Sequence, residues 1–526
     1  MALKIREISL HLDEEESSIP KKIATILDFD VEKIRHWKII RKGIDARRKP
    51  DVLRVYTIEF SCDDELQLLK NSSTATLEKV EDLPVFEISP LKKKAKILIA
   101  GMGPAGLFSA LLLAEAGAQV CLVERGRPVE ERLSDVHSFW AGGLLNPESN
   151  IQFGEGGAGT FSDGKLTTRL NHPGMRSILQ SFVKFGAPEE ILWQAKPHIG
   201  SDRLRSVLIN FRKHLLALGV EIRFSSCLTD FQMNVGHIAA GVINGCDLIK
   251  CDRLILALGH SARDTYQLLA EKKVLLQQKS FAVGLRVEHP LELINQIQYG
   301  LCTHPQLSAA DYRLAWNDPE SGRGVYSFCM CPGGQVVNAS SEEGGIVVNG
   351  MSDFSRSAEN SNSALVVSVT PEDFGSDDVL AGLYFQKKWE QAAYRAGEAG
   401  WRAPAQPMLE FLNGRGGDFK SSCRPEVIHA DLHKCLPTFV TSGLSRALPV
   451  FNQRMRGFVG PEATLIGVET RTSAPLRIIR DEHGESISHK GLFPTGEGAG
   501  YAGGIMSAAL DGMKTATEII NRSNAF

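Results

Sequence analysis

The spacing of three glycines is the first feature that could do chemistry. Gly101, Gly103 and Gly106 form a G-x-G-x-x-G motif directly after the apolar run at residues 96–100 and before an amphipathic segment. In a strand-turn-helix unit, the first glycine permits the tight turn, the second lets the backbone approach a pyrophosphate, and the third lets helix and strand pack closely. Pro104 suits the first helical turn, where its missing N–H costs nothing. The motif therefore predicts a dinucleotide site.

An acidic residue follows at the end of the next predicted strand, residues 119–123. Glu124 stands where a carboxylate can accept hydrogen bonds from both hydroxyls of an adenosine ribose. The positive end of the intervening helix would face the phosphates. The acid favours FAD or NAD over a 2′-phosphorylated nucleotide.

Residues 154–159 repeat the same letters, but no apolar strand precedes them and no helical pattern follows. They are not predicted to form a second dinucleotide turn. Gly157 and Gly159 would instead let the backbone lie against a flat ligand, with Ser162 and Lys165 supplying polar contacts. A plain glycine-rich loop is the alternative interpretation.

A second glycine-rich turn lies near the C-terminus, after the predicted strand at residues 491–494. The free N–H groups at the start of the following helix, predicted over residues 507–517, would form an anion site suited to a flavin oxygen or a phosphate. Glu497 could accept a hydrogen bond from a ribityl chain. With the apolar strand that ends at Gly259, this segment favours FAD over NAD. The segment contains Gly496, Glu497, Gly503, Gly504, Ile505 and Met506.

Four residues are candidates for catalysis or substrate binding. Cys329 and Cys331 alternate along a predicted strand, so both thiols would point to one face, as a redox pair, a metal clip or two small buried residues. His260 follows the strand end at Gly259 and is either a proton donor or a hinge residue. Arg471 either clamps a carboxylate or phosphate or forms a salt bridge to the sheet. No His and Cys spacing is diagnostic of a bound metal, so none is expected.

Composition places the chain among ordinary globular proteins. It has 526 residues, 43% hydrophobic and 23% charged, with a net charge of -3. The ten cysteines show no CxxC pair, which argues against a disulfide framework or zinc ribbon. The first residues lack a secretory pattern, and glycines and an acid interrupt the most apolar stretch, residues 97–123. A cytoplasmic protein without a membrane segment is expected.

The pattern of elements predicts an α/β protein built from four segments. Residues 1–90 have the order β-α-β-β-α-β of a ferredoxin-like α+β domain, with strands at residues 37–40 and 52–60 and a last strand at residues 85–88. Residues 91–279 alternate strands and helices as a Rossmann-like domain does. Residues 280–455 show a different pattern of elements and are predicted to form an inserted α+β substrate or cap domain. Residues 456–526 are predicted to complete the Rossmann-like domain.

A basic stretch flanks a predicted hairpin tip at Gly43. Its cations are Arg41, Lys42, Arg47 and Arg48, and no aromatic residue is interleaved among them to stack bases. It is either a solvated hairpin or a surface for RNA, a nucleotide or a protein partner. Nucleic acid is the less favoured of these interpretations.

These motifs carry a family resemblance. GMGPAG at 101–106 with Glu124, ILALGH at 255–260 and PTGEGAGYAGGIMSAALDG at 494–512 resemble the two-dinucleotide-binding-domain flavoproteins of the glutathione-reductase-like class. FGEGGAGTFSDGKLTTR at 153–169, FCMCPGG at 328–334 and ETRTSAPLRI at 469–478 resemble, more narrowly, the uncharacterised FAD-dependent dehydrogenases found mainly in bacteria, which are NAD(FAD)-utilising dehydrogenase-like flavoproteins.

The resemblance implies FAD binding and oxidoreductase activity, without a settled substrate. It implies that Arg125 reaches the adenine or ribose. It also implies that the ADP half of FAD is held by Gly101, Gly103, Ala105, Gly106 and Glu124, and the flavin half by Gly496, Glu497 and the turn at residues 503–506. Because only one true dinucleotide turn is present, NAD(P)H would either bind transiently without that motif or be replaced by the substrate as the electron donor. The leading hypothesis is an FAD-dependent oxidoreductase acting on a small molecule. The alternatives are an RNA-associated flavoprotein that uses the basic hairpin, and a partner-binding protein with structural FAD.

Overall fold

The computed structural model describes residues 2–63, 65–71, 76–81 and 88–525. Its N-terminal unit is a four-stranded antiparallel sheet in the order β2-β3-β1-β4, packed against a helix through an apolar core. Its elements are β1 (Leu3–His11), α1 (Ile19–Leu27), β2 (Ile34–Arg48), β3 (Asp51–Cys62), α2 (Glu65–Asn71) and β4 (Leu77–Lys79). The described elements follow the order β-α-β-β-α-β, but the last of them is β4 and not the strand predicted at residues 85–88, of which residues 85–87 lie outside the described residues.

The predicted hairpin tip at Gly43 is wrong. Gly43 lies inside β2, and the chain turns at residues 49–50. The strand continues past Gly43 because it has hydrogen-bond partners on both edges. On one edge it pairs with β3. On the other, Lys42 exchanges backbone hydrogen bonds with Trp193 and Ala195, at 2.7 and 2.8 Å. The hairpin therefore lies against a later part of the chain and does not project freely into solvent.

A five-stranded parallel sheet follows, in the order β23-β11-β5-β6-β7. Buried apolar side chains cover both of its faces, which explains the nearly continuous apolar runs in its strands. The first part of this region contains β5 (Lys96–Ala100), α3 (Pro104–Glu115), β6 (Gln119–Val123), α4 (Val129–Trp140), α5 (Gly174–Lys184), α6 (Ser201–Ala217), β7 (Glu221–Arg223), β8 (Leu228–Asn234), β9 (His237–Ile243), β10 (Asp247–Lys250), β11 (Arg253–Leu256), α7 (Arg263–Glu271) and β12 (Leu276–Gln278).

The middle of the chain builds a seven-stranded sheet in the order β14-β15-β18-β13-β21-β19-β20, antiparallel except for its last pair. Its elements are β13 (Phe281–Pro290), α8 (Leu291–Tyr299), β14 (Ala315–Asn317), β15 (Gly324–Cys331), β16 (Gln335–Asn338), β17 (Val348–Met351), β18 (Asn360–Val369), α9 (Ala381–Ala396), β19 (Ala403–Pro407), α10 (Met408–Asn413), β20 (Val427–His429), α11 (Thr438–Arg454) and β21 (Thr464–Glu469). Strand β21 lies beyond residue 455, yet it pairs with β13 in this sheet.

The C-terminal segment returns to the parallel sheet. It contains β22 (Leu476–Ile478), β23 (Leu492–Pro494) and α12 (Ile505–Ala525), and β23 pairs with β11 at the sheet edge. Helix α12 packs on α3, where a Cβ on Gly512 would lie 2.1 Å from the carbonyl oxygen of Ala105. This close approach brings the start of α12 beside the start of α3. Within the described ranges, none of the helices has both the length and the apolar character needed to cross a bilayer.

Candidate functional site

One cleft of about 390 Å³ lies where the parallel sheet meets the seven-stranded sheet. It is within the size range typical of ligand sites. Its walls come from the turn after β5, the loop before α5, the end of β11, the start of α12 and the facing ends of β15 and β21. Most of the residues predicted for the site line it, namely Gly101, Gly103, Pro104, Ala105, Glu124, Arg125, Gly157, Gly159, Ser162, Lys165, Gly259, His260, Cys329, Arg471, Glu497, Gly503, Gly504, Ile505 and Met506. Gly106, Gly496 and Cys331 lie behind the lining.

The glycines after β5 have different physical roles. Gly101 has φ +105°, and a Cβ there would lie 2.3 Å from the carbonyl oxygen of Ala257. A Cβ on Gly106 would lie 1.9 Å from the carbonyl oxygen of Gly101, so Gly106 serves the packing of helix on strand. Gly103 precedes Pro104 as the N-cap of α3, and no side chain caps the helix. The N-terminus of α3 is thus open to an anion in the cleft.

Glu124 is buried and holds two loops together. One of its carboxylate oxygens accepts hydrogen bonds from the amides of Gly126 and Gly154, both at 2.9 Å, and the other accepts from Met102 at 2.8 Å. A carboxylate has about four acceptor positions, so one remains open after these three bonds. Glu124 therefore has a structural role, and one acceptor position remains for the ribose contact expected from the sequence.

Arg125 lies at the rim of the cleft with its charge already compensated. Its guanidinium forms ion pairs with Glu148 and Asp264, at 2.8 and 2.6 Å, and stacks 4.3 Å from the ring centroid of Phe153. These contacts fix a flat cationic surface beside the end of β6. Such a surface suits stacking against a planar base better than binding an anion.

The 154–159 loop packs directly on the dinucleotide turn. Gly156 donates a 2.9 Å hydrogen bond to the carbonyl oxygen of Met102, and a Cβ on Gly157 would lie 3.2 Å from the Cα of Gly103. No strand precedes the loop, and its second half belongs to a short 3-10 helix, Gly157–Phe161. This is consistent with the sequence argument against a second dinucleotide turn. Ser162 turns back to bond the carbonyl oxygen of Gly159 at 2.7 Å.

Lys165 belongs to a buried charge cluster. Its ammonium lies 3.3 Å from the carboxylate of Asp163, which also binds Arg356 through both oxygens. Burial alone would raise the pKa of Asp163, but the charges of Lys165 and Arg356 outweigh it and lower that pKa. Lys165 also donates to the carbonyl oxygen of Met330, between the two cysteines. The cluster joins the glycine-rich loop to β15.

The C-terminal turn leaves open space on the cleft side. A Cβ on Gly259, Gly503 or Gly504 would meet nothing within 4 Å. The backbone N–H of Gly496 points away from the cleft and donates to Asp511 at 2.7 Å. Burial raises the pKa of Glu497 to about 7, so this carboxyl group exchanges a proton near neutrality.

His260 also lines the cleft and is held by Ser261, whose hydroxyl lies 2.9 Å from Nδ1. Burial, followed by the charges of Arg471 and Arg263, lowers the pKa of His260 to about 4. The imidazole is consequently neutral at pH 7. It can accept a proton or a hydrogen bond but carries no charge of its own.

Arg471 forms a salt bridge, but its partner Glu390 lies in helix α9 and not in the sheet as expected from the sequence. Its guanidinium binds both carboxylate oxygens of Glu390, at 3.0 and 2.8 Å, and donates to Ser341 at 2.6 Å. Glu390 also binds Arg263 at 2.7 and 3.0 Å. Burial alone would raise the pKa of Glu390, but the two guanidinium groups hold it well below its usual range. Arg471 remains part of the cleft wall with most of its charge neutralised.

Cys329 and Cys331 do not form a regular strand pair. The ladder between β15 and β18 shifts register between Phe328 and Cys331, and Cys329 takes φ +43°. The bulge breaks the alternation assumed from the sequence, but the two residues stay in contact, since the sulfur of Cys331 lies 3.4 Å from the carbonyl oxygen of Cys329. Cys331 is fully buried, whereas Cys329 reaches the cleft.

Sequence reasoning missed the buried ion pair beneath these cysteines. Arg286 binds Glu469 through Nε at 2.8 Å and Nη2 at 3.2 Å, and its Nη1 lies 3.9 Å from the sulfur of Cys331. The sequence does place Arg286 inside the apolar run of β13. A charge buried in such a strand must have a partner of opposite charge, which could have indicated the ion pair. Within the described part of the chain, no group of three or more His, Cys, Asp or Glu residues is placed to hold a metal ion.

Comparison with known proteins identifies the cofactor class. A family model described as an FAD binding domain matches residues 94–132, and one described as the C-terminal domain-like part of an FAD-dependent protein matches residues 280–472. A domain of unknown function matches residues 2–61. An uncharacterized protein of Clostridium beijerinckii is 43% identical over 529 residues, covering 99% of each chain. The chain belongs to the same family, a family of FAD-dependent proteins.

More distant similarities are partial. Aklavinone 12-hydroxylase DnrF of Streptomyces peucetius is 31% identical over 160 residues, covering 28% of this chain and 31% of that protein. The solved structure of CtdE in complex with FAD is 12% identical, covers 82% of this chain and 89% of that one, and has a TM-score of 0.31. Glycine oxidase from Bacillus cereus is 11% identical, with coverage of 82% and 95% and a TM-score of 0.34.

Proposed function

We propose that the protein is an FAD-dependent oxidoreductase of the dehydrogenase or reductase type, acting on a small molecule in the cleft. One observation carries the proposal: the same cleft is lined by the dinucleotide turn at Gly101–Gly103 and by the titratable groups of Glu497, His260 and Cys329. A dinucleotide held by the first would extend toward the second. In the proposed arrangement, residues 91–279 and the C-terminal segment bind FAD, and the seven-stranded sheet closes the cleft over it.

The residues present fit FAD. At Gly103 the nearest atom to a Cβ would be 3.9 Å away, and at Gly503 and Gly504 there would be none within 4 Å, so these glycines keep free a space that side chains would fill. The uncapped start of α3 suits the pyrophosphate, and the remaining acceptor position of Glu124 suits the ribose. Gly259 and the 503–506 turn would border the flavin.

When bound, FAD supplies the hydride chemistry, so the chain itself need only position groups and manage protons. Glu497, with a pKa of about 7, holds or releases a proton at the cleft wall. His260 remains neutral and accepts a hydrogen bond. Glu390 holds the guanidinium of Arg471 in the cleft wall and neutralises most of its charge.

The electron donor is proposed to be either NAD(P)H, bound transiently without its own glycine motif, or the substrate itself. Purified protein reconstituted with FAD should show a bound flavin spectrum. Under anaerobic conditions, NADH, NADPH and a panel of organic hydride donors would then be tested for bleaching of that spectrum. Protein that takes up no FAD, or whose flavin no donor reduces, would contradict the oxidoreductase proposal.

A further inference from the structure

Cys329 and Cys331 have the arrangement of an attacking and a resolving thiol. Cys329 lines the cleft, whereas Cys331 is fully buried directly behind it, and its sulfur lies 3.4 Å from the carbonyl oxygen of Cys329. Cys329 is held at φ +43°, a conformation that non-glycine residues rarely adopt. Backbone strain of this kind persists only where the surrounding structure imposes it, and it is concentrated at functional sites.

Two cations lie against this dithiol. Arg286 approaches the carbonyl oxygen of Cys329 at 3.3 Å and the sulfur of Cys331 at 3.9 Å. Lys165 binds the carbonyl oxygen of Met330, between the two cysteines. The charged and titratable groups that face the pair are Lys165 and Arg286 on the positive side, and Asp163, Glu469 and Glu497 on the negative side.

This environment separates the two thiols chemically. A hydrogen bond with Cys331, aided by the charges of Lys165 and Arg286, outweighs burial and lowers the pKa of Cys329. The same hydrogen bond, together with burial, raises the pKa of Cys331. Cys329 is therefore the thiolate on the cleft side, and Cys331 retains its proton behind it. Thiolates, and not thiols, attack disulfides.

We propose that Cys329 and Cys331 form a dithiol–disulfide couple and that the substrate class of the cleft is a disulfide. The inference rests on the proposed function, since it names a substrate for the same oxidoreductase site. In this proposal, the strained bulge and the buried Arg286 both serve to position the dithiol.

The chemistry balances in two exchanges. The Cys329 thiolate attacks one sulfur of the substrate disulfide, forming a mixed disulfide and releasing the first thiolate. Cys331 then loses its proton to solvent or the second leaving sulfur and attacks the Cys329 sulfur, forming the Cys329–Cys331 disulfide and releasing the second product. The substrate gains two electrons, and the protein dithiol loses two.

The test uses the full-length protein, before and after incubation with FAD, carrying Cys246→Ser and Cys302→Ser, because those two cysteines are exposed and would react non-specifically. One equivalent of 5,5′-dithiobis(2-nitrobenzoate), an aromatic disulfide, is added, and proteolytic peptides are weighed. We expect both aromatic thiolates to be released and the Cys329–Cys331 peptide to become lighter by two hydrogens. With Cys331→Ser added, one thiolate is released and the other stays attached to Cys329.

Iodoacetamide labelling of the wild-type chain gives a second measurement that does not depend on a variant's folding. At about pH 6, Cys329 should react roughly tenfold faster than Cys246, since each unit of lowered pKa increases the thiolate fraction about tenfold below the pKa. Lys165→Gln should slow Cys329 labelling at this pH. Labelling of Cys329 no faster than of Cys246, or an unchanged peptide mass after the disulfide treatment, would overturn the proposal.

These results separate the two proposals, because thiol exchange needs no flavin. Protein that takes up no FAD but passes both thiol tests would contradict the proposed oxidoreductase function and retain the dithiol couple. Protein that binds and reduces FAD but fails the thiol tests would retain the oxidoreductase function and lose the couple.

Discussion

Gly103 and Gly157 touch backbone to backbone across the floor of the cleft: a Cβ on Gly157 would lie 3.2 Å from the Cα of Gly103. The two glycine-rich stretches, which look like copies of one motif in the sequence, are in fact a dinucleotide turn and the loop that supports it. Glu124 joins them by bonding the amides of Met102 and Gly154. The second motif is explained by this packing and not by a second nucleotide.

The dinucleotide turn provides a matched pair of substitutions. Gly103→Ala places a Cβ in open space at ordinary backbone angles, so we expect thermal stability within about 0.5 kcal/mol of wild type. The same methyl group occupies the phosphate approach, and FAD affinity should fall by at least about tenfold. Gly106→Ala drives a Cβ to 1.9 Å from the carbonyl oxygen of Gly101 and should cost about 1–3 kcal/mol of folding free energy.

The measurements are thermal unfolding of the cofactor-free variants and fluorescence titration with FAD. Wild-type FAD affinity in Gly103→Ala would contradict the placement of the pyrophosphate. Unchanged stability in Gly106→Ala would contradict the close helix–strand packing.

A second matched pair tests the ion network behind the cleft. Glu390→Gln leaves the guanidinium groups of Arg263 and Arg471 buried without a counter-charge, and removing one partner of a buried ion pair typically costs about 3–5 kcal/mol. Glu342→Gln removes a carboxylate that lies 3.3 Å from Arg263 but is partly exposed, and should cost less than about 1 kcal/mol. Denaturant unfolding at neutral pH compares them.

The stabilisation by Glu390 should also depend on pH in a definite direction. Because the pKa of Glu390 is lowered in the folded state, its stabilising contribution is present above the unfolded pKa and is lost as the pH falls below it. The difference in unfolding free energy between wild type and Glu390→Gln should therefore shrink in acid. A difference that is constant down to about pH 3 would contradict the ion network.

The sequence predicted the parts of the fold that depend on local spacing. The turn at Gly101–Gly106 and the return of the C-terminal strand to the parallel sheet both have patterns a few residues long. The end of β2 was misjudged because glycine is a common turn residue, and the contact with Trp193 that extends the strand lies far away in sequence. Tertiary pairing outweighed local preference there.

The electrostatics of the site could not be predicted in the same way. Arg286 with Glu469, and Glu390 with Arg471, are partners that only the completed sheets and α9 bring together. The sequence identified Arg471 as a notable residue but left its partner open. Likewise, the i,i+2 spacing of Cys329 and Cys331 was visible, whereas the bulge that places one thiol in front of the other was not.

The basic hairpin yields a prediction about RNA. Lys42 forms an ion pair with Glu16, and Arg47 forms one with Asp45. The hydrogen bonds from Arg47 lower the pKa of Asp45 to about 2. Because Lys42 and Arg47 are paired and β2 lies against residues 193–195, we expect no salt-sensitive retention of single-stranded RNA at low ionic strength. Filter binding measures this, with Arg41, Lys42, Arg47 and Arg48 jointly replaced by Ala as the control variant. Retention by the wild type that disappears in that control would restore the RNA-associated alternative.

Glu497 provides the last prediction, which concerns stability against pH. Burial raises the pKa of this carboxyl from its ordinary 4.5 to about 7, so the folded state favours the protonated form. A raised folded pKa contributes stability that is complete below the unfolded pKa and is lost as the pH rises through the folded value. Between about pH 4.5 and 7, cofactor-free wild type should therefore lose roughly 1–3 kcal/mol relative to Glu497→Gln, which cannot ionise. Unfolding titrations of both proteins across this range measure the difference, and parallel curves would show that Glu497 ionises as it does in water.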